Sequence, residues 1–115
     1  LIKGSDVSLE IHTNASNNKT ANGVECIALP KDKVLAQKLS AAVSKITGSR
    51  FRGDKGYITQ EDSARGKLGY VSNGGLILEV FFISNDSELD VFEEKYWLIA
   101  KEVSQVLIDY VKTKK

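Results

Sequence analysis

The chain has 115 residues, 42% hydrophobic and 27% charged, with a formal net charge of +1. That length fits one domain with a real core, and the near-neutral balance removes the global field that nucleic-acid or anionic-membrane binding exploits. No apolar run approaches the ~18 residues of a membrane span, no secretory apolar segment is present, and the single cysteine, Cys26, cannot close an internal disulfide.

Methionine is absent, so Leu1 is not a retained initiator, and a strand-like run starts almost at once. A processed or excised start is expected. Val7, Leu9 and Ile11 alternate with Ser8, Glu10 and His12, the period of a half-buried strand over 7–12. Residues 13–22 are rich in Asn, Ser, Thr and Lys and read as a polar loop. A second strand is predicted over 23–29 (GVECIAL), ended by Pro30, the only proline.

From 32 to 47, Leu35, Leu39, Ala42, Val43 and Ile46 recur at three and four residues, which predicts an amphipathic helix stopped by Gly48. Residues 50–75 are glycine-rich, charged and irregular, the composition of a functional or mobile stretch. Arg50, Arg52, Lys55, Arg65 and Lys67 make it mildly basic, diluted by Asp54, Glu61 and Asp62. A solvated loop is the expected reading, and the tripeptide Arg52-Gly53-Asp54 carries no weight on its own.

The run 76–83 (LILEVFFI) is apolar on both faces, as an interior strand of an α/β sheet should be. A polar turn follows, with Ser87 and Asp90 spaced to cap a short helix. A longer helix is predicted over 93–111, with Tyr96, Ile99, Ala100, Val103, Val106, Leu107 and Tyr110 on one face. The lysines of the tail suit the negative end of its dipole.

Two residues stand out chemically. His12, the only histidine, ends a strand at a loop; it is either a structural imidazole or a ligand. Glu79 interrupts the most apolar strand. Burying a carboxylate costs several kcal/mol, so Glu79 either meets a cation or solvent on its face or serves as a general base. One histidine, no HExxH and no cysteine pair leave the chain short of the three ligands of a catalytic zinc site.

Two segments resemble the type 3 family of N-acetylmuramoyl-L-alanine amidases. Ser8-Leu9-Glu10-Ile11-His12-Thr13-Asn14-Ala15 is similar to the family's strand ending S-I-H-x-N-A, and Ala21-Asn22-Gly23-Val24-Glu25 to its R-G-V-E. Leu76 to Asn85 is similar to its L-V-E-x-G-F-I-S-N strand. The resemblance covers nearly the whole chain, with helices in the family's order. It implies an α/β fold, a mixed twisted β-sheet flanked by α-helices, as one amidase-like catalytic domain over 1–115 that is N-terminally incomplete.

By position, the resemblance makes His12 a zinc ligand and Glu79 the catalytic carboxylate. The family's other two ligands, a glutamate and a histidine, are expected upstream of residue 1; Glu10 and Glu25 do not match them. Asn14 is expected to hold the site loop or simply to form a turn. Phe81 replaces a family glycine and Glu10 a family serine, departures that fit a divergent branch such as a phage endolysin. The implied function is zinc-dependent hydrolysis of the amide between N-acetylmuramic acid and L-alanine, in cell-wall degradation or lysis. This chain alone is expected to be inactive. The partner is peptidoglycan, with no nucleic acid and no membrane span, at a periplasmic or extracellular place in the cell envelope. A phage lysin would instead be made in the host cytoplasm. The competing expectation is a non-catalytic fragment or degenerate relative that binds cell wall or a protein partner.

Overall fold

A computed structural model describes residues 6–64 and 66–114. In chain order it has β1 (Leu9–Asn14), β2 (Glu25–Ile27), a 3-10 turn (Pro30–Asp32), α1 (Lys33–Thr47), β3 (Tyr57–Ile58), α2 (Gly69–Ser72), β4 (Leu76–Phe82) and α3 (Asp86–Lys112). The four strands form one mixed sheet in the order β1-β4-β2-β3. β4 runs parallel to β1 and antiparallel to β2, while β2 and β3 are parallel.

β4 lies inside the sheet and is buried at all seven positions, which is why its sequence is apolar on both faces. Leu76, Leu78 and Val80 pack with Val24, Cys26 and Ala28 against Leu35, Leu39 and Val43 of α1 and Ile99 and Val103 of α3. The two long helices thus cover one face. On the other, a smaller cluster joins Ile27, Ile77 and Val71, with Leu68 and Tyr70 beside it. That cluster covers only one end, so the rest of this face carries the polar side chains. The expected mixed sheet flanked by helices is the observed architecture.

Several boundaries differ from the sequence reading, among them β2, which is confined to Glu25–Ile27. β1 begins at Leu9 and continues through Asn14, two residues past His12. The stretch 50–75 contributes a fourth strand, β3, held by non-local bonds: Cys26 N donates to Gly56 O at 2.7 Å and Ala28 N to Ile58 O at 3.2 Å. Ser40 of α1 donates to the same Gly56 carbonyl at 2.8 Å. Gly56 has φ of 89°, and an added Cβ would collide with Ser40, so glycine is required where β3 crosses α1.

The C-terminal helix is a single element of 27 residues, not a short helix followed by a longer one. Its N-cap is Asn85 rather than Ser87: Asn85 Oδ1 accepts from Glu88 N at 3.1 Å. The spacing is that of a capping box, but the Glu88 carboxylate turns outward from the helix. It accepts from Phe82 N at 2.8 Å and from Gly23 N at 2.9 Å, tying α3 to the end of β4 and to the start of β2.

Candidate functional site

His12 on β1 is the register partner of Glu79 on β4, and Glu79 is the register partner of Glu25 on β2. Register partners point to the same face of a sheet. The three side chains therefore form a row, His12–Glu79–Glu25, across three adjacent strands. Ile11, Leu78 and Cys26 form the next row down and point the other way, toward the helices. So the structure brings the two sequence-predicted site residues together on the face that α1 and α3 leave open.

A β-bulge shapes the end of this row. β1 and β4 are in register at His12 and Glu79, yet Asn14 pairs with Phe82, so β4 carries an extra residue there. Val80 and Phe81 both enter the helix-side core, where Phe81 stacks on Phe92 with ring centroids 4.5 Å apart. Phe82 swings back to the open face, placing the Arg52 guanidinium 4.8 Å from its ring centroid. Bulges recur beside functional sites because they re-aim a side chain in this way.

The row's surroundings differ from end to end. His12 is about one-third exposed, and its Nε2 lies 3.0 Å from Glu10 Oε1. Glu10, two residues earlier on the same strand face, thereby orients the ring. Glu79 is only 3% exposed. Glu25 is also buried, and Arg52 donates from Nε to its Oε1 at 2.7 Å. Cys26, on the opposite face, has its thiol pushed well above the ordinary range by burial first, then by the carboxylates of Asp32, Glu25 and Glu79.

Arg52 is the correction to the sequence reading of this region. It is not part of a solvated loop: besides Glu25 and Phe82, its Nη1 donates to Asn22 O at 3.2 Å. Arg50 donates from Nε to Asn22 Oδ1 at 3.0 Å. Gly23, with φ of 112°, lets the backbone pass beneath both; an added Cβ would lie 2.9 Å from Arg52 Cγ and 3.1 Å from Arg50 Cγ. Asp54 of the Arg52-Gly53-Asp54 tripeptide pairs with Lys33 at 2.8 Å, so the three residues do not project as one tip. Arg65, in the same basic stretch, lies outside the described residues.

Asn14 accepts from Ala15 N through Oδ1 at 2.9 Å and Ile83 N donates to its carbonyl at 2.8 Å, so it shapes the loop after β1. Glu25, Arg52 and Glu88 are the residues the sequence reading missed. For Glu25 a signal existed: Val24, Cys26 and Ala28 alternate with it, which sets it on the face opposite the core. A groove of about 550 Å³ between α1 and α3, lined by Leu35, Lys38, Glu102 and Tyr110, is on the other side of the sheet from this row. Neither His12 nor Glu79 lines that groove; the two meet on the opposite face of the sheet.

A family model described as N-acetylmuramoyl-L-alanine amidase matches residues 3–109. Among solved structures, a Neisseria meningitidis protein assigned to the N-acetylmuramoyl-L-alanine amidases is 40% identical, with a TM-score of 0.90 over 96% of this chain and 61% of its own. The catalytic domain of CwlV, an N-acetylmuramoyl-L-alanine amidase from Bacillus (Paenibacillus) polymyxa var. colistinus, shares the fold at 22% identity. Its TM-score is 0.74, over 94% of this chain and 59% of its own. An N-acetylmuramoyl-L-alanine amidase from Clostridium difficile 630 does so at 24% identity and a TM-score of 0.71, over 96% of this chain and 60% of its own. The chain spans about three fifths of the length of these structures. A comparison with curated proteins gave no match. With the family's pattern running through both the His12 strand and the Glu79 strand, the chain belongs to the N-acetylmuramoyl-L-alanine amidase family.

Proposed function

We propose that this chain is the part of a zinc-dependent peptidoglycan amidase that supplies the general base, Glu79, and one metal ligand, His12. The observation that supports this reading best is the register of β1 and β4, which sets the only imidazole beside a buried carboxylate on an open sheet face. Among the described residues no group of three or more His, Cys, Asp or Glu side chains is placed to hold a metal ion. On this reading His12 supplies one corner of a zinc site and the other ligands come from outside the described residues. Glu10 acts as the carboxylate that orients a ligand histidine.

Zinc, when bound, supplies Lewis-acid polarisation of the scissile carbonyl and a lowered pKa for water. The chain's own contribution is proton traffic. Glu79 accepts a proton from the attacking water and returns it to the leaving amine nitrogen as the amide between the muramic acid lactyl group and L-alanine breaks. Its burial keeps bulk water from competing. The site of action is the cell wall, in the periplasm or outside the cell, including lysis from within by a phage lysin. No helix of the described residues is long and apolar enough to cross a membrane.

The test is a complete domain that joins the missing segment to these residues. It should release amino groups from purified peptidoglycan and stop when zinc is chelated. A complete domain that holds zinc, binds the wall and leaves it uncut overturns the reading in favour of a wall-binding relative.

A further inference from the structure

Two arginines on the open face have no part in the proton chemistry above. Arg50 and Arg52 lie two residues apart in an extended segment alongside β2, where Val24 pairs with Phe51. Phe51, between them, points toward α1, close to Val34, Gln37 and Ala41. Alternation then puts both arginines on the opposite side, the side of Glu25 and Glu79. Asn22 braces both, through Oδ1 for Arg50 and through its carbonyl for Arg52, and Gly23 leaves the room they occupy.

Their bonding divides the work. Arg52 is spent on structure: Nε on Glu25, Nη1 on Asn22 and its flat face on Phe82. Arg50 is exposed, and among the described residues its terminal Nη1 and Nη2 make no hydrogen bond. A guanidinium held by its Nε, with both terminal nitrogens open to solvent, is a ready fork for a carboxylate. The neighbouring Arg52 adds positive charge while its own partner Glu25 is buried beneath it.

We propose that Arg50, seated on the Asn22–Arg52–Glu25 brace, binds a carboxylate of the substrate's peptide and so holds the scissile amide over Glu79. This deepens the amidase reading and rests on it for the identity of the ligand. The chemistry recognised is an acidic peptide attached to the amide. The row fixes its direction: His12 lies on one side of Glu79 and the arginines on the other, beyond Glu25. The peptide portion therefore runs toward β2, and the glycan portion toward β1.

The experiment uses the complete domain and two synthetic muramoyl peptides, one with free carboxylates and one with those groups converted to carboxamides. Arg50→Gln is compared with the parent, and Arg50→Lys serves as the charge-keeping variant. Arg50→Gln should raise KM for the free-carboxylate peptide about 10-fold or more, the size of a lost charge-assisted pair. It should leave kcat nearly unchanged and barely affect the carboxamide peptide, while Arg50→Lys recovers part of the loss. Equal KM values for parent and Arg50→Gln on the charged peptide overturn the proposal. Calorimetric binding of the two peptides is measured in parallel. If the parent binds the charged peptide through Arg50 yet cleaves neither, the amidase reading fails and the carboxylate site stands. If the parent cleaves both without preferring charge, the reverse holds.

Discussion

Glu25 and Glu79 face each other as register partners across β2 and β4, both buried, and the Arg52 guanidinium holds the Glu25 carboxylate. A buried carboxylate is costly unless a cation pairs with it. The Arg52 pair thus stabilises the buried Glu25 carboxylate where β2 lies beside the strand that carries Glu79. Arg52→Ala should destabilise the complete domain by about 2–4 kcal/mol, below the ~3–5 kcal/mol of a fully buried pair because Arg52 keeps some exposure. Glu25→Gln in that background should recover much of the loss. Urea midpoints of the four proteins in the cycle check this, and a double variant no steadier than Arg52→Ala shows that the carboxylate was not the cause.

Glu88 links three elements through two backbone donors. Glu88→Ala leaves the amides of Phe82 and Gly23 without their acceptor and should cost about 2–4 kcal/mol. The neighbouring Ser87→Ala should change stability by less than about 0.5 kcal/mol, because Asn85, not Ser87, caps the helix. Thermal melts of the pair decide it; a Ser87→Ala loss as large as that of Glu88→Ala contradicts the assignment of the cap.

The parts legible in the sequence are those whose cause is local. Alternation around Leu9 and Ile11, the three-and-four spacing of Leu35, Leu39 and Val43, and the apolar run around Glu79 each announce an element directly. The family motifs then named His12 and Glu79, and the fold sets them side by side. What stayed hidden depends on distant partners. β3 is two residues long and exists because Gly56 and Ile58 carbonyls accept from β2. Arg52 looked like loop charge because its partner Glu25 is 27 residues away in the chain. The start of α3 was misplaced because Ser87 and Asp90 also satisfy the capping spacing, and only the position of Glu88 against Phe82 and Gly23 settles which box is used.

Cys26 gives a pH signature. Burial and three nearby carboxylates raise its thiol pKa in the folded protein above the ordinary 9.0. Unfolding releases that constraint, so above about pH 9 the unfolded chain ionises the thiol while the folded one does not. The contribution is therefore fully present below pH 9 and is lost as pH rises beyond it, by up to about 1.4 kcal/mol per pH unit. Stability measured from pH 8 to 10.5 should fall more steeply in the parent than in Cys26→Ala. Parallel curves for the two proteins contradict the prediction, as does alkylation of Cys26 in the native state at the rate of a free thiol.

The final prediction concerns what Glu79 is for. If its carboxylate were kept only to hold the fold, exchanging it for the isosteric amide would weaken the sheet. If it serves as the proton acceptor, the same exchange should spare the fold, since the amide keeps the shape that fits beside Glu25 on β2. An amide keeps the shape and one acceptor oxygen but cannot take the proton of an attacking water at neutral pH. Loss of general-base help is typically ~10²–10⁴-fold in rate. In the complete domain, Glu79→Gln should therefore retain zinc and its melting temperature while amine release from peptidoglycan falls by that factor. Cleavage at the parent rate would remove Glu79 from the mechanism. A variant that unfolds instead would return Glu79 to the structural role that burial at 3% exposure also fits, and metal content with the melting curve distinguishes that outcome from loss of catalysis.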